Sequence, residues 1–395
     1  MNYKLEHRDI LYGNEQLGPY PDHLLKRVDK LTIDVPGPVH ARSQLESAAS
    51  RGARGEFGSR VAYQSTRNIH KVPIGASLFE IRLNLRDINN SRKNSVAPEK
   101  APIPEDPRIL SRHLKSFGHF LGADLMGVCE VPQGAVYKDD PQGNPIDIPY
   151  KYALVFIKRK HLPTTLASNG HDWIFDSASH QTYQLLAIWS DTVADYLRRL
   201  GYDAISSNMR NYVTLMTPLV LASGLGEASR MGIALNPFLG ANFKASAVLT
   251  DLPLEPDRPI DIGLQSYCSR CAICADHCPV RAICRGDKQL YNGYMTWLLD
   301  SKKCFSFHVV NKNGSVCGLC TRICPWNRPN SMPEDFKGWD GDLKKLFSDV
   351  DARAKWLQKH NFRDEREFTG KWWFDLEEID GRITIPASTH YEVIE

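Results

Sequence analysis

CSRCAICADHCP, residues 268–279, is the stretch from which the rest of the chain can be read. Cys268, Cys271, Cys274 and Cys278 follow the spacing x2-x2-x3 and end on Pro279, which is the bacterial pattern for 4Fe–4S ligands. Each two-residue gap lets the backbone curl round one face of a cube and present successive thiolates. A second run places Cys304, Cys317, Cys320 and Cys324 before Pro325, keeping x2 and x3 and stretching the first gap to twelve residues. In two-cluster proteins the fourth cysteine of a run ligates the other cluster. The expected sets are therefore Cys268, Cys271, Cys274 and Cys324 on one cluster, and Cys304, Cys317, Cys320 and Cys278 on the other. Zinc sites also use paired C-x2-C elements, but two C-x2-C-x3-C-P endings in one segment fit clusters better.

The chain has 395 residues and ten cysteines, nine of them between 268 and 324. A disulfide-stapled secreted domain would be short and cysteine-dense throughout. The two cysteines outside the pattern read as packing residues: Cys129 lies in an apolar run and Cys284 follows the first cluster run closely. Lys and Arg total 49 against 46 Asp and Glu, a net charge of +3, so no strongly basic surface asks for nucleic acid. The longest apolar run, TLMTPLVLASGLG (214–226), is too short for a membrane span. The first residues, MNYKLEHRDILYGNEQ, carry no secretory core. The expectation is a soluble, cytoplasmic protein with no nucleic-acid partner and no stable membrane span.

Four regions follow from pattern and composition. Residues 1–108 form an N-terminal extension, with LFEIRLNL (78–85) as its best extended run and a proline-rich connector at 95–108. Residues 109–262 read as a mixed α/β core. Leu110, Leu114, Phe117 and Leu121 recur at helical spacing and Gly122 stops the helix. ADLMGVCEV (123–131), YALVFIKR (152–159) and FKASAVLTDLPL (243–254) read as strands, and a helix from about Ser179 to Leu200 carries Leu186, Trp189, Val193 and Leu197 on one face. Residues 263–330 hold the cysteines. Residues 331–395, with Trp339, Trp356, Trp372 and Trp373, form a tail packing on the core; its tryptophans either pack or line substrate access.

Two linked clusters move single electrons, so the large α/β core suggests a centre that accepts them. GADLMGVCEV (122–131), LRRLGYDAISSN (197–208), GLGEASRMGIALNPFLGANFKASAVLTDLPL (224–254) and the two cysteine runs together resemble the cobalamin-dependent reductive dehalogenases of the non-exported type, over roughly 109–330. The resemblance implies an α/β (α+β) fold: a nitroreductase-like cobalamin-binding core with an inserted bacterial-ferredoxin-like two-cluster segment. It also implies cobalamin held base-off with no histidine from the protein, and the chain indeed has no D-x-H-x-x-G sequence.

The same resemblance implies a tyrosine proton donor with a basic residue some sixty positions later. Tyr183 and Lys244 stand 61 residues apart. Relatives carry GPRVR where this chain has GANFK (240–244), so Asn242 and Lys244 both fall near the basic position and only Lys244 is cationic. Asn208 falls where relatives place a substrate-contacting asparagine, and is otherwise a turn residue. A neighbouring cation stabilises tyrosinate and makes the phenol, with a free pKa of about 10, a better acid. Gly224, Gly226 and Gly232 either let the backbone approach the corrinoid or punctuate turns; Thr250 and Asp251 complete the expected cofactor contacts.

The implied reaction removes halide from an organohalide, such as a halogenated phenol, with two electrons and one proton. The electrons would come from an external ferredoxin, flavodoxin or reductase. Two other readings share parts of the pattern. One is an epoxyqueuosine reductase-like enzyme acting on tRNA, which would use an aspartate donor, a helical-repeat domain and a basic surface. The other is a non-catalytic electron-transfer protein, which would not need the α/β core.

Overall fold

YALVFIKR and FKASAVLT form the middle of a four-stranded sheet: the first is a continuous apolar run, and the second is buried from Ala245 to Thr250, as a strand covered on two faces requires. In a computed structural model, residues 16–65, 96–168, 170, 174–209, 211–311, 316–359 and 377–384 are described; LFEIRLNL, Trp372, Trp373 and the end of the tail lie outside them. In chain order, the first elements are α1 (Ala48–Ala53), α2 (Ser59–Ser65), α3 (Pro107–Leu121), β1 (Leu125–Glu130) and β2 (Tyr152–Arg159). Then come α4 (Leu162–Ala167), α5 (Ile174–Arg199), β3 (Ala204–Ser207) and α6 (Met216–Ala222). The short hairpin β4 (Glu227–Ala228) and β5 (Ala234–Leu235) precedes β6 (Phe243–Thr250). The cysteine segment contains α7 (Leu264–Arg270), α8 (Ile273–Asp276), the hairpin β7 (Gln289–Tyr291) and β8 (Tyr294–Thr296), α9 (Ser301–Val310) and α10 (Leu319–Arg322). The tail adds α11 (Leu343–Lys359), β9 (Glu377–Ile379) and β10 (Arg382–Thr384).

The sheet order is β1-β2-β6-β3, antiparallel throughout. Val155 pairs with Ala247, and these residues face one core with Ile157, Leu249 and helix α6. Leu154, Phe156 and Val248 face the other, where α3 and α5 contribute Leu114, Leu186, Val193 and Leu197. Asp106 caps α3 by accepting from the Arg108 amide at 3.0 Å, and Pro107 occupies the first turn, where no amide donor is needed. The helix begins two residues before Ile109 for that reason. Likewise α5 starts at Ile174 rather than near Ser179, so the face that reaches the site includes Asp176 and His180.

Leu114 is 1% exposed at the centre of this second core. Leu114→Ala is expected to cost about 2–5 kcal/mol, since the rigid sheet opposite cannot collapse into the space. A urea titration followed by far-UV circular dichroism would read the loss.

The regions read as extension and tail both enter the main core. Tyr20 stacks on Phe238 at 5.6 Å and donates its hydroxyl to the Ser331 carbonyl at 3.3 Å. Trp339 meets Phe238 edge-on at 5.5 Å, and Trp356 packs beside Leu357, Ile323 and Ile273. These two tryptophans are packing residues. Among the described residues no helix is long and apolar enough to cross a membrane.

Candidate active site

The two cysteine runs fold side by side, and the fourth thiol of each run is in electrostatic range of three cysteines of the other. Cys268 lies in α7 and Cys271 caps its end, Cys274 lies in α8, and Cys324 comes from beyond α10. Burial pushes the Cys324 thiol far up, and Cys274, Cys268 and Cys271 push it further. Burial likewise lifts Cys304 and Cys317 to about 12, helped by Cys320 and Cys278 in both cases. Each expected quartet is thus in mutual electrostatic range, and Cys274 and Cys320 lie where the quartets face one another. Thiols buried this deeply keep their protons at neutral pH unless a metal takes the proton's place. Among the described residues no three His, Cys, Asp or Glu side chains converge on one ion, as a mononuclear zinc site would require. A 4Fe–4S cluster asks for something else, four thiolates around a volume, and the two quartets suit it.

Local backbone supports this. Gly318 sits between Cys317 and Leu319 with φ of 65°, and a Cβ there would stand 2.2 Å from the Phe175 ring. Only glycine lets the C-G-L-C turn press against the first turn of α5. Cys129 is buried within β1 and Cys284 lies outside both quartets, its thiol directed at the Asp287 carbonyl.

Between α5, β6 and the second quartet lies a cavity of about 320 Å³. Tyr183 and Lys244 line it, and so do Cys278, Cys304, Cys317 and Cys320. Lys244 Nζ stands 4.6 Å from the Tyr183 ring centroid. Helical spacing brings Asp176, His180 and Tyr183 to one face of α5, with His180 Nε2 3.2 Å from Asp176 Oδ2. Asn242, the alternative to Lys244, is fully buried behind β6, where its amide donates to the Lys160 carbonyl at 3.0 Å. A second cavity of about 410 Å³, bordered by Tyr137, Tyr294 and Gly232, shares Tyr212, Met216 and Thr217 with the first.

The other expected contacts lie elsewhere. Asn208 is buried, and its amide donates to Ser190 Oγ at 3.1 Å and Asp191 Oδ1 at 3.2 Å on α5. It borders neither cavity. Gly224, with φ of 66°, accommodates Arg27 and the Arg258 carbonyl, which a Cβ would meet at 2.1 and 2.2 Å. Gly226 packs on the Leu235 carbonyl. Thr250 and Asp251 end β6 at the opposite extreme from Lys244, about 20 Å away at the rise of a strand. There the Thr250 hydroxyl donates to the Asp203 carbonyl at 2.7 Å and accepts from the Leu252 amide. TDLPL is the closing turn of a strand.

Three further residues belong to the site. Lys160 is 2% exposed, lines the first cavity and holds its ammonium 3.7 Å from the Phe175 centroid. Burial and the charge of Lys244 push its pKa well down, while Cys320 opposes that shift. His308 follows Cys304 by one helical turn on α9, its Nε2 3.6 Å from the Cys304 sulfur, and burial pulls its pKa down to about 4. The i, i+4 spacing of Cys304 and His308 could have exposed it. Arg230, within GLGEASRMG, reaches the first cysteine run.

Against solved structures, the whole arrangement superposes on a reductive dehalogenase described for B12-dependent dehalogenation, with a TM-score of 0.82 and 32% identity over 97% of this chain and 56% of that one. The chain belongs to the reductive dehalogenase family. A further structure, the catabolic reductive dehalogenase NpRdhA in complex with 3-bromo-4-hydroxybenzoic acid, matches at a TM-score of 0.78 and 32% identity, covering 98% of this chain and 56% of that one. In sequence, the tetrachloroethene reductive dehalogenase of Sulfurospirillum multivorans is 28% identical over 281 residues, 61% of this chain and 54% of that protein. The chain therefore spans about half the length of the reductive dehalogenases it matches. No family model matches it.

Proposed function

We propose that this chain is the catalytic unit of a cytoplasmic reductive dehalogenase that replaces the halogen of an organohalide, of the halogenated phenol class, by hydrogen. The observation that carries the reading is the placement of Lys244 4.6 Å from the Tyr183 ring, in a cavity that four cysteines also line. The same space thus holds groups able to give a proton and groups able to deliver electrons. Overall, the carbon–halogen bond breaks, two electrons and one proton enter, and the halide leaves.

The residues present fit the two implied groups. The crossed quartets suit two 4Fe–4S clusters, with Cys278, Cys304, Cys317 and Cys320 at the cavity and Cys268, Cys271, Cys274 and Cys324 farther away. The adjoining cavities, joined at Tyr212, Met216 and Thr217, offer a broad, mostly apolar space for a corrinoid held base-off in a nitroreductase-like core. When bound, cobalamin supplies a cobalt centre able to take electrons from the clusters and cleave a carbon–halogen bond.

The chain's own side chains do the rest. Tyr183 gives its phenolic proton to the substrate carbon. Lys244 holds the negative charge then left on the phenol oxygen, and the apolar walls at Phe175 and Phe307 exclude water, which strengthens that attraction. A NpRdhA complex holds a bromo-hydroxybenzoate; a phenolic substrate here would find Lys160, Lys244 and His308 as its polar neighbours. An external low-potential donor such as a ferredoxin, flavodoxin or reductase completes the circuit. Free thiols in this number suit a reducing cytoplasm, and neither nucleic acid nor a membrane is needed.

The test is halide release, measured by ion chromatography, from protein reconstituted anaerobically with iron, sulfide and cobalamin and supplied with a low-potential donor and a halogenated phenol. Lys244→Met is expected to lower the rate about 100-fold, with Lys244→Arg losing less because it keeps a cation. Fully loaded wild-type protein that releases no halide from phenolic or aliphatic organohalides would contradict the reading.

A further inference from the structure

The turn between β4 and β5 contains one arginine that the reaction above does not use. Arg230 is 3% exposed, yet its guanidinium leaves the hairpin and enters the first cysteine run. Nε donates to the carbonyls of Cys268 at 2.9 Å and Cys271 at 3.2 Å, and Nη2 to that of Ser269 at 3.2 Å. Nη1 donates to the carbonyls of Cys284, Arg285 and Gly286 at 2.9, 2.8 and 3.0 Å. The guanidinium plane lies 4.8 Å from the Trp297 ring centroid.

Two features separate this from ordinary bracing. Carbonyl dipoles satisfy the donors but leave the charge intact, and it acts on the first quartet against the opposing carboxylates of Glu227 and Asp276. Arginine does not lose its proton inside proteins. A full positive charge is therefore fixed beside the first quartet, where it favours the thiolates of Cys268, Cys271 and Cys274. The second quartet has a different basic residue near it, Lys160 beside Cys320.

We propose that Arg230 is a positioning residue of the first cysteine quartet and that its charge raises the reduction potential of the cluster held there. The proposal rests on the reading that both quartets hold clusters. Its physics is simple: reduction adds negative charge, a buried cation stabilises the more negative state, and net charge and hydrogen bonding are what set cluster potentials. It gives the R-M-G of GLGEASRMG a role distinct from contact with a corrinoid.

The test is a redox titration followed by electron paramagnetic resonance on reconstituted wild-type protein and on Arg230→Gln, which keeps an amide donor and removes the charge. In R230Q the first cluster is expected to become harder to reduce by about tenfold in its reduced-to-oxidised ratio, a shift of about 59 mV for one electron. The second cluster should titrate as in wild type. An unchanged first potential, or an equal shift of both clusters, would overturn the proposal. If R230Q does not retain the first cluster, Arg230→Lys decides. Retention there shows that charge is required; loss in both variants shows a brace of shape alone and overturns it. Wild-type protein without two reducible clusters would instead defeat the underlying reading.

Discussion

Replacing Tyr183 by phenylalanine is expected to lower halide release about 10²–10⁴-fold, the range for removing a positioned proton donor, with iron and cobalt content unchanged. The substitution deletes one oxygen and keeps the ring, so the face offered to the Lys244 ammonium persists. Tyr183 lines the cavity, whereas the neighbouring positions that hold α5 in place, Leu186 and Val193, are buried in the second core. Loss of activity would therefore report chemistry at the phenol and not a displaced helix. The Tyr183→Phe/Lys244→Met double variant should be little worse than Tyr183→Phe alone, because a cation that stabilises tyrosinate has nothing to act on once the hydroxyl is gone. Halide release within threefold of wild type in Tyr183→Phe would remove this residue from the reaction.

The second large effect concerns the crossed cysteines. Cys324→Ser should remove the cluster held with Cys268, Cys271 and Cys274 and leave the other, and Cys278→Ser should do the reverse. Each variant should fall from about eight irons per chain to about four. In sequence, Cys324 closes the second run and Cys278 the first, so an uncrossed assignment predicts the opposite losses. The thiol electrostatics favour the crossed one: Cys324 feels Cys274, Cys268 and Cys271, and Cys317 feels Cys320, Cys304 and Cys278. Both variants should stop turnover with a physiological donor, since the path from surface to cavity loses a station. Iron analysis with electron paramagnetic resonance separates the alternatives, because only the second quartet borders the cavity.

Much of this is legible in the sequence, for physical reasons that differ by element. YALVFIKR is a continuous apolar run, whereas FKASAVLT interleaves Lys244 and Ser246 with apolar residues; the two pair at the centre of the sheet, where both faces are covered. The 61-residue separation of Tyr183 and Lys244 carried meaning only through family resemblance; the sheet then explains it, since α5 crosses β6 where Lys244 begins that strand. What spacing could not supply was convergence. Lys160 follows β2, His308 rides on α9 and Arg230 sits in a two-strand turn; apart from the i, i+4 spacing of Cys304 and His308, nothing local distinguishes them from ordinary surface charges. GLGEASRMG shows the same limit: Gly224 and Gly226 are set by tight backbone contacts with Arg258 and Leu235, Gly232 borders the second cavity, and Arg230 has the most partners. Thr250 and Asp251 belonged to a family-like run, but a strand carries its two ends about 20 Å apart, which takes them away from Lys244.

The most direct test of the central claim is electron paramagnetic resonance of the anaerobically reconstituted chain, before and after a halogenated phenol is added. The account predicts two reducible clusters together with a cobalt signal that lacks splitting from an axial nitrogen and changes when the phenol binds. Reducible clusters with no bound cobalt would contradict it and leave an electron-transfer protein.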